Sequence, residues 1–316
     1  MGKYHAIEDI VQWKHIDWAR GHGIYIFWVD WTNYIHTSDG RRIQEITRKL
    51  LDKGMNVGVM IGAQVDMHFT KGYPSVDLSD PWNKNVLLEV VRMAIPLMKH
   101  PNYYRINGKP AIFIWNEAIF YNRAEAYREI KEMVKRDLGV EPYIIADVLP
   151  RIMADRKVIP GTPEGEWYIR NLLLRKNDGG DKFIDAYTSW IGFYSVQGET
   201  ALTPREIEMY SKLYREHVEA WSSYTNGRNK CFIPTVSPGF DRTFDKSFNQ
   251  QFPIPRDPKR FAEMLKIALD SLGNCKEIRI DTWNDFYEGT FIEPSVSDGF
   301  TYLEVLEEFI KELKEN

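Results

Sequence analysis

Cysteine is scarce. Only Cys231 and Cys275 occur in 316 residues, too few for a disulfide framework or a zinc cluster. Both stand beside apolar runs, so buried free thiols are expected. The seven histidines are scattered without H-x-x-x-H or related spacing. That leaves no sequence pattern for a metal site, and no cofactor is expected. Basic charge is not in excess: Lys and Arg total 41 against 45 for Asp and Glu, a net charge of -4. With no basic cluster, a nucleic-acid partner is excluded. No apolar run is long enough to span a bilayer, so no membrane partner is expected. Residues 1–13 lack the apolar core of a secretion signal, and a cytoplasmic location is expected for the chain as it stands. There is also no Gly-rich phosphate cradle. Without linker, low-complexity tract or internal repeat, one domain over 1–316 is expected.

What the chain has is aromatic side chains and alternating βα patterning. Ten Trp and seventeen Tyr serve core packing first, but they also suit a pocket that stacks the flat faces of sugars. Strand-like runs fall at 24–31, 56–63, 110–116, 143–149, 184–191, 231–239 and 277–283. Most are almost continuously apolar, as parallel strands covered on both faces require. Amphipathic helical stretches fall between them at 41–54, 123–139, 204–221 and 258–273, and a last one at 301–313 closes the chain. Gly54 and Gly139 provide stops, and Pro204 and Pro258 suit first turns. Repeated βα units predict an α/β fold of the (β/α)8 barrel type. Seven strands are found, and the chain opens on a helix at 5–21, so the first strand of a closed barrel is not seen. Two open strand edges would invite pairing with a neighbouring copy, making a homo-oligomer the expected assembly.

Chemistry in such barrels sits at the C-terminal ends of the strands. Those ends carry Trp28, Asp30 and Trp31; Trp115, Asn116 and Glu117; Asp147; Tyr187, Ser189, Trp190 and Tyr194; and finally 282-TWNDFYEGTFIEP-294 with Trp283, Asn284, Asp285, Tyr287, Glu288 and Glu293. An acidic, aromatic rim fits a neutral polyhydroxyl ligand, whose ring faces stack and whose hydroxyls need acceptors. Asp285 and Glu288 are three residues apart in a turn and can face one pocket. Two close carboxylates do not both ionise cheaply, which supplies an acid and a base at neutral pH. Glu117, in "WNE", is the rival acid. The corresponding later segment, 231–241, holds no second Glu, so Glu117 is read as a rim or binding residue.

The segments 107-NGKPAIFIW-115, 184-IDAYTSW-190, 232-FIPTVSPGFD-241 and 282-TWNDFYEGTFIEP-294 resemble, in order and separation, glycoside hydrolase family 99 and its relatives, the endo-α-mannosidases and endo-α-mannanases. The resemblance covers the chain from about residue 7. It implies a (β/α)8 barrel and a retaining, metal-independent glycosidase acting on an oligosaccharide or polysaccharide. Asp285 would then deprotonate a sugar 2-hydroxyl that attacks its own anomeric carbon, and Glu288 would be general acid and then base. Tyr187 would line the cleavage subsite. This chain departs from the family at Asp285, where the family has Glu. The shorter side chain retracts the carboxylate by about 1 Å, a displacement that can cost on the order of 100-fold in rate. The alternatives are a catalytically weak glycan-binding relative and an accessory domain of polysaccharide assembly.

Overall fold

The computed structural model describes residues 4–32, 37–70, 75–147, 159–173, 178–190, 204–246 and 252–315. A curved parallel sheet forms its centre. Its strands are β1 (Ile26–Asp30), β2 (Asn56–Ile61), β3 (Lys109–Ile114), β4 (Tyr143–Asp147), β5 (Ala186–Thr188) and β6 (Cys231–Ile233), each hydrogen-bonded to the next. Pro234 interrupts the sixth strand because it has no N–H to donate. Its carbonyl accepts from the Arg279 N–H at 2.9 Å. Beyond it, β7 (Thr235–Val236) pairs in parallel with β8 (Arg279–Ile280). Strands therefore fall in all seven predicted regions, in order, although the fifth and the last are much shorter than predicted.

Helices alternate with the strands: α1 (Asp9–Gly21), α2 (Ser38–Asp52), α3 (Pro81–Met98), α4 (Ala124–Leu138), α5 (Pro163–Tyr168), α6 (Pro204–Glu208), α7 (Tyr210–Asn226), α8 (Pro258–Asp270) and α9 (Thr301–Glu315). Their limits follow local chemistry. Asp257 caps α8 by accepting from the Lys259 and Arg260 N–H groups, with Pro258 in the first turn. Gly139 ends α4 at φ 78°, a left-handed stop. No helix among the described residues is long and apolar enough to cross a membrane.

Alternation along the strands sorts two apolar layers. Val57, Val59 and Ile61 join the large core under the helices. Phe113, Tyr143, Ile145, Ala186 and Ile233 fill the barrel interior, with Trp28 packed against them. A Cβ at Gly58 would collide with the Trp28 ring, which explains a glycine inside β2. Between β8 and β1 no strand pairing occurs among the described residues. That seam holds side chains instead: Trp283 lies 5.2 Å from Phe27 and 5.5 Å from His15, and Tyr4 lies 5.2 Å from His15.

The expectation of free thiols is corrected. Cys231 and Cys275 form a disulfide, with Cα atoms 5.2 Å apart. The start of β6 and the segment entering β8 are spatial neighbours inside the barrel, which brings distant cysteines within bonding range. The bridge spans 44 residues. Loop-closure entropy for that span corresponds to about 4 kcal/mol. Reduction, or Cys275→Ser, is expected to lower the denaturant midpoint by the equivalent of about 2–4 kcal/mol. Equal melts with and without reductant would overturn this.

Candidate active site

The loop after β8 is tied at its base. Thr282 N–H donates to the Thr290 carbonyl (2.9 Å), and the two threonine hydroxyls lie 2.9 Å apart. Arg256 donates to the carbonyls of Gly289 (2.7 Å) and Phe291 (2.8 Å) while pairing with Asp298 (2.7 Å). Gly289 takes φ 66°, which lets the chain double back. Within this frame the Asp285 N–H donates to Thr282 Oγ1 (3.0 Å), and Asp285 Oδ1 accepts the Glu288 N–H (2.9 Å). The two expected catalytic carboxylates thus belong to one turn, fixed at both ends.

Other elements complete the mouth. Glu288 meets Arg242 at 3.4 Å, and Arg242 also pairs with Asp245. Asp245 accepts from the Tyr287 hydroxyl (2.9 Å). Phe244 and Tyr287, 59% and 55% exposed, meet edge to face at 5.0 Å, a rigid aromatic ledge beside the carboxylates. Across the seam, Asp30 ends β1. It keeps contact with solvent although protein surrounds its carboxylate. Burial first, and then the Asp285 charge, raise it above the usual carboxylate range, against the opposing hydrogen bonds from Thr32. Its partner there is the Thr32 N–H (2.7 Å). Below the rim lies a polar layer. Arg279 donates to Asp281 (2.7 Å) and Asp147 (3.5 Å), its guanidinium 4.6 Å over the Phe113 ring.

The structure divides the predicted site residues by strand parity. Asp30, Asn284, Asp285, Tyr287 and Glu288 gather at the mouth, and Trp115 and Asn116 stand half-buried at the end of β3. The others are placed elsewhere. Trp28 is inside the barrel, against Tyr104 and Phe113. Trp31 is buried beneath α2, donating Nε1–H to Thr47 Oγ1 (3.0 Å). Tyr187 faces the outer layer, where its hydroxyl reaches Asp181 (3.4 Å), so it does not line the mouth. Trp190 is buried against Phe240. Glu117 is fully buried, bound by Arg123 (2.7 Å) and the Tyr127 hydroxyl (2.8 Å); the rim role expected for it has no exposed surface to act through. Glu293 is buried too, between Tyr4 and His15. Tyr194 lies outside the described residues. Sequence reasoning missed Tyr4, His15, Arg242 and Asp245, which reach the loop from distant segments. Among the described residues no group of three or more His, Cys, Asp or Glu side chains could hold a metal.

The architecture is shared with solved structures. A glycoside hydrolase-like protein, 18% identical, matches over 97% of this chain and 87% of its own with a TM-score of 0.72. The family 99 endo-α-mannosidase from Bacteroides thetaiotaomicron in complex with bis-tris propane is 18% identical, over 99% of this chain and 86% of its own, with a TM-score of 0.64. The crystal structure of a putative α-L-fucosidase from the same organism is 12% identical, over 100% of this chain and 91% of its own, with a TM-score of 0.54. The fold is therefore that of the barrel glycoside hydrolases, as the sequence segments implied. No curated protein matches the chain in sequence. Residues 68–306, which span β3 to β8 and the whole carboxylate loop, match one family along their length, and the chain belongs to that family, described as Glycosyltransferase WbsX.

Proposed function

We propose that this chain is a retaining glycoside hydrolase acting on an α-linked glycan, mannose-containing by its resemblance to the endo-α-mannosidases. The observation that carries the proposal is the single rigid turn at the C-terminal rim holding Asp285 and Glu288, joined by the Asp285 Oδ1 to Glu288 N–H bond of 2.9 Å. Asp285 takes the proton of a sugar 2-hydroxyl as that oxygen attacks the anomeric carbon. Glu288 gives a proton to the departing glycosidic oxygen. Water, deprotonated by Glu288, then attacks the anomeric carbon and breaks its bond to O2, while Asp285 returns its proton to O2, giving overall retention. The Phe244–Tyr287 ledge and the acceptor-rich rim suit a neutral polyol.

The family description favours a second reading, in which a sugar hydroxyl replaces water in the last step and the glycan is transferred. Both readings use the same carboxylates, and product size separates them. Reducing-end release from a panel of α-mannans, α-glucans and bacterial polysaccharides tests the first. Chains longer than the substrate would support the second. Oligosaccharide binding by calorimetry without any product would leave a binding protein and overturn both.

A further inference from the structure

We propose that Tyr4, held by the buried Glu293, fixes the side-chain amide of Asn284 so that its Oδ1 is offered to the mouth as a hydrogen-bond acceptor, making Asn284 a position that selects a sugar hydroxyl. The ligand in this proposal rests on the glycan-acting reading above; the side-chain network does not.

Glu293 is 2% exposed, and both of its oxygens are engaged: Oε2 by the Tyr4 hydroxyl at 2.6 Å and Oε1 by His15 Nε2 at 3.2 Å. A carboxylate only accepts, and a phenol has a single hydrogen. The Tyr4 hydrogen is therefore committed to Glu293. Burial, reinforced by the hydrogen bond to Glu293, pushes the Tyr4 hydroxyl well above its usual range, so it keeps that hydrogen. What remains on the Tyr4 oxygen can only accept. The Asn284 atom facing it, at 3.4 Å, must then be the amide nitrogen. An Asn amide has one NH2 and one oxygen on opposite sides, so Oδ1 turns away from Tyr4. Asn284 is exposed and adjacent to Asp285. Its Oδ1 thus extends the acceptor surface formed by Asp285 and Asp30, a lining for hydroxyl donors and against anionic groups. Tyr4 and Glu293 touch no reacting atom in this arrangement and are positioning residues.

The test has one arm without ligand and one with it. In the Tyr4→Phe protein the Asn284 side-chain amide NMR resonance, identified by its loss in Asn284→Asp, is expected to shift and broaden. Glu293→Gln, which frees the Tyr4 hydrogen, should move the same resonance. A resonance unmoved in both variants overturns the network whatever the activity. With the glycan cleaved in the panel, Tyr4→Phe should raise KM about 5–10-fold, the weight of one hydrogen bond, while kcat stays within about twofold. Adding Tyr4→Phe to Asn284→Ala should then do nothing more. An unchanged KM, or a loss confined to kcat, overturns the selecting role. If the wild type neither cleaves nor binds any panel glycan, the selecting role falls together with the proposed function, and the resonance still decides whether Tyr4 holds Asn284.

Discussion

Asp285→Asn and Glu288→Gln are each expected to lower turnover by about 1,000-fold, within the range general acid or base catalysis supplies, while the melting temperature stays within a few degrees of the wild type. The separation of the two effects follows from the loop. The asparagine of the first variant keeps an Oδ1 able to accept the Glu288 N–H, which Asp285 now holds at 2.9 Å. The backbone N–H at that position still donates to Thr282. The Thr282–Thr290 tie and the Arg256 bonds to Gly289 and Phe291 do not involve either carboxylate. Only the charge is lost, and its loss removes a repulsion that Asp30 now feels. Asp30 should titrate closer to an ordinary carboxylate in this variant, readable by side-chain carbon NMR. For Glu288→Gln the neighbour is Arg242, which keeps Asp245 as a partner. Reducing-end assays with matched melting curves measure both halves. Full activity in Glu288→Gln would remove it from the acid/base role, and a collapse in stability in either variant would mean the carboxylates build the loop as much as they serve it.

How much of this was legible beforehand depended on periodicity. Strands such as Tyr143–Asp147 and Asn56–Ile61 are buried on both faces and read as apolar runs whose order alone implied a barrel. The same burial erased the signal that says which residues point inward. In Trp28-Val29-Asp30-Trp31 nothing in the residue types announces that Asp30 faces the mouth while Trp31 goes under α2 to Thr47. Tyr187 fails for the same reason: Ala186 faces the barrel interior and Tyr187 the outer core. Loop residues fared better, because a turn such as Asp285 to Glu288 is local and its geometry follows from a few neighbouring bonds. Contacts across the seam were hidden, since the pairing of Tyr4 with Glu293 joins residues 289 apart. The disulfide was hidden likewise by the 44-residue separation of its partners.

The largest expected loss of stability is from Arg123→Met, about 3–5 kcal/mol in denaturant melts. Arg123 has no exposed surface. It donates to Glu117 at 2.7 Å, holds Asp178 with two parallel bonds of 2.9 Å, and reaches Asp181 at 3.3 Å. Removing the cation leaves three clustered acids, two of them buried, without their shared partner, and uncompensated buried charge is what makes such breaks severe. Glu117 starts the turn that follows Trp115 and Asn116, so the damage should reach the wall of the mouth. Three acids share Arg123, while Lys230 reaches only the Asp181 carbonyl (3.2 Å), and this excess of acid also predicts a gain elsewhere. Burial first, then the charges of Glu117 and Asp178, raise Asp181 from its ordinary 3.8 to about 6, with Arg123 opposing them. A carboxyl raised in the folded state binds its proton more tightly there than in the unfolded chain, so its contribution to stability falls as pH rises from about 4 to 6. Asp178 runs the other way: against the cost of burial, the hydrogen bonds and charge of Arg123 hold it low, and its contribution is lost only as pH falls through that lowered value. Asp181→Asn should therefore be more stable than the wild type at pH 7, with the difference closing below about pH 4, where both carry a neutral group at this position. If Asp181→Asn is instead the less stable protein at pH 7, the attraction of Arg123 exceeds the cost of burying that carboxylate, and the cluster is balanced by all three acids together.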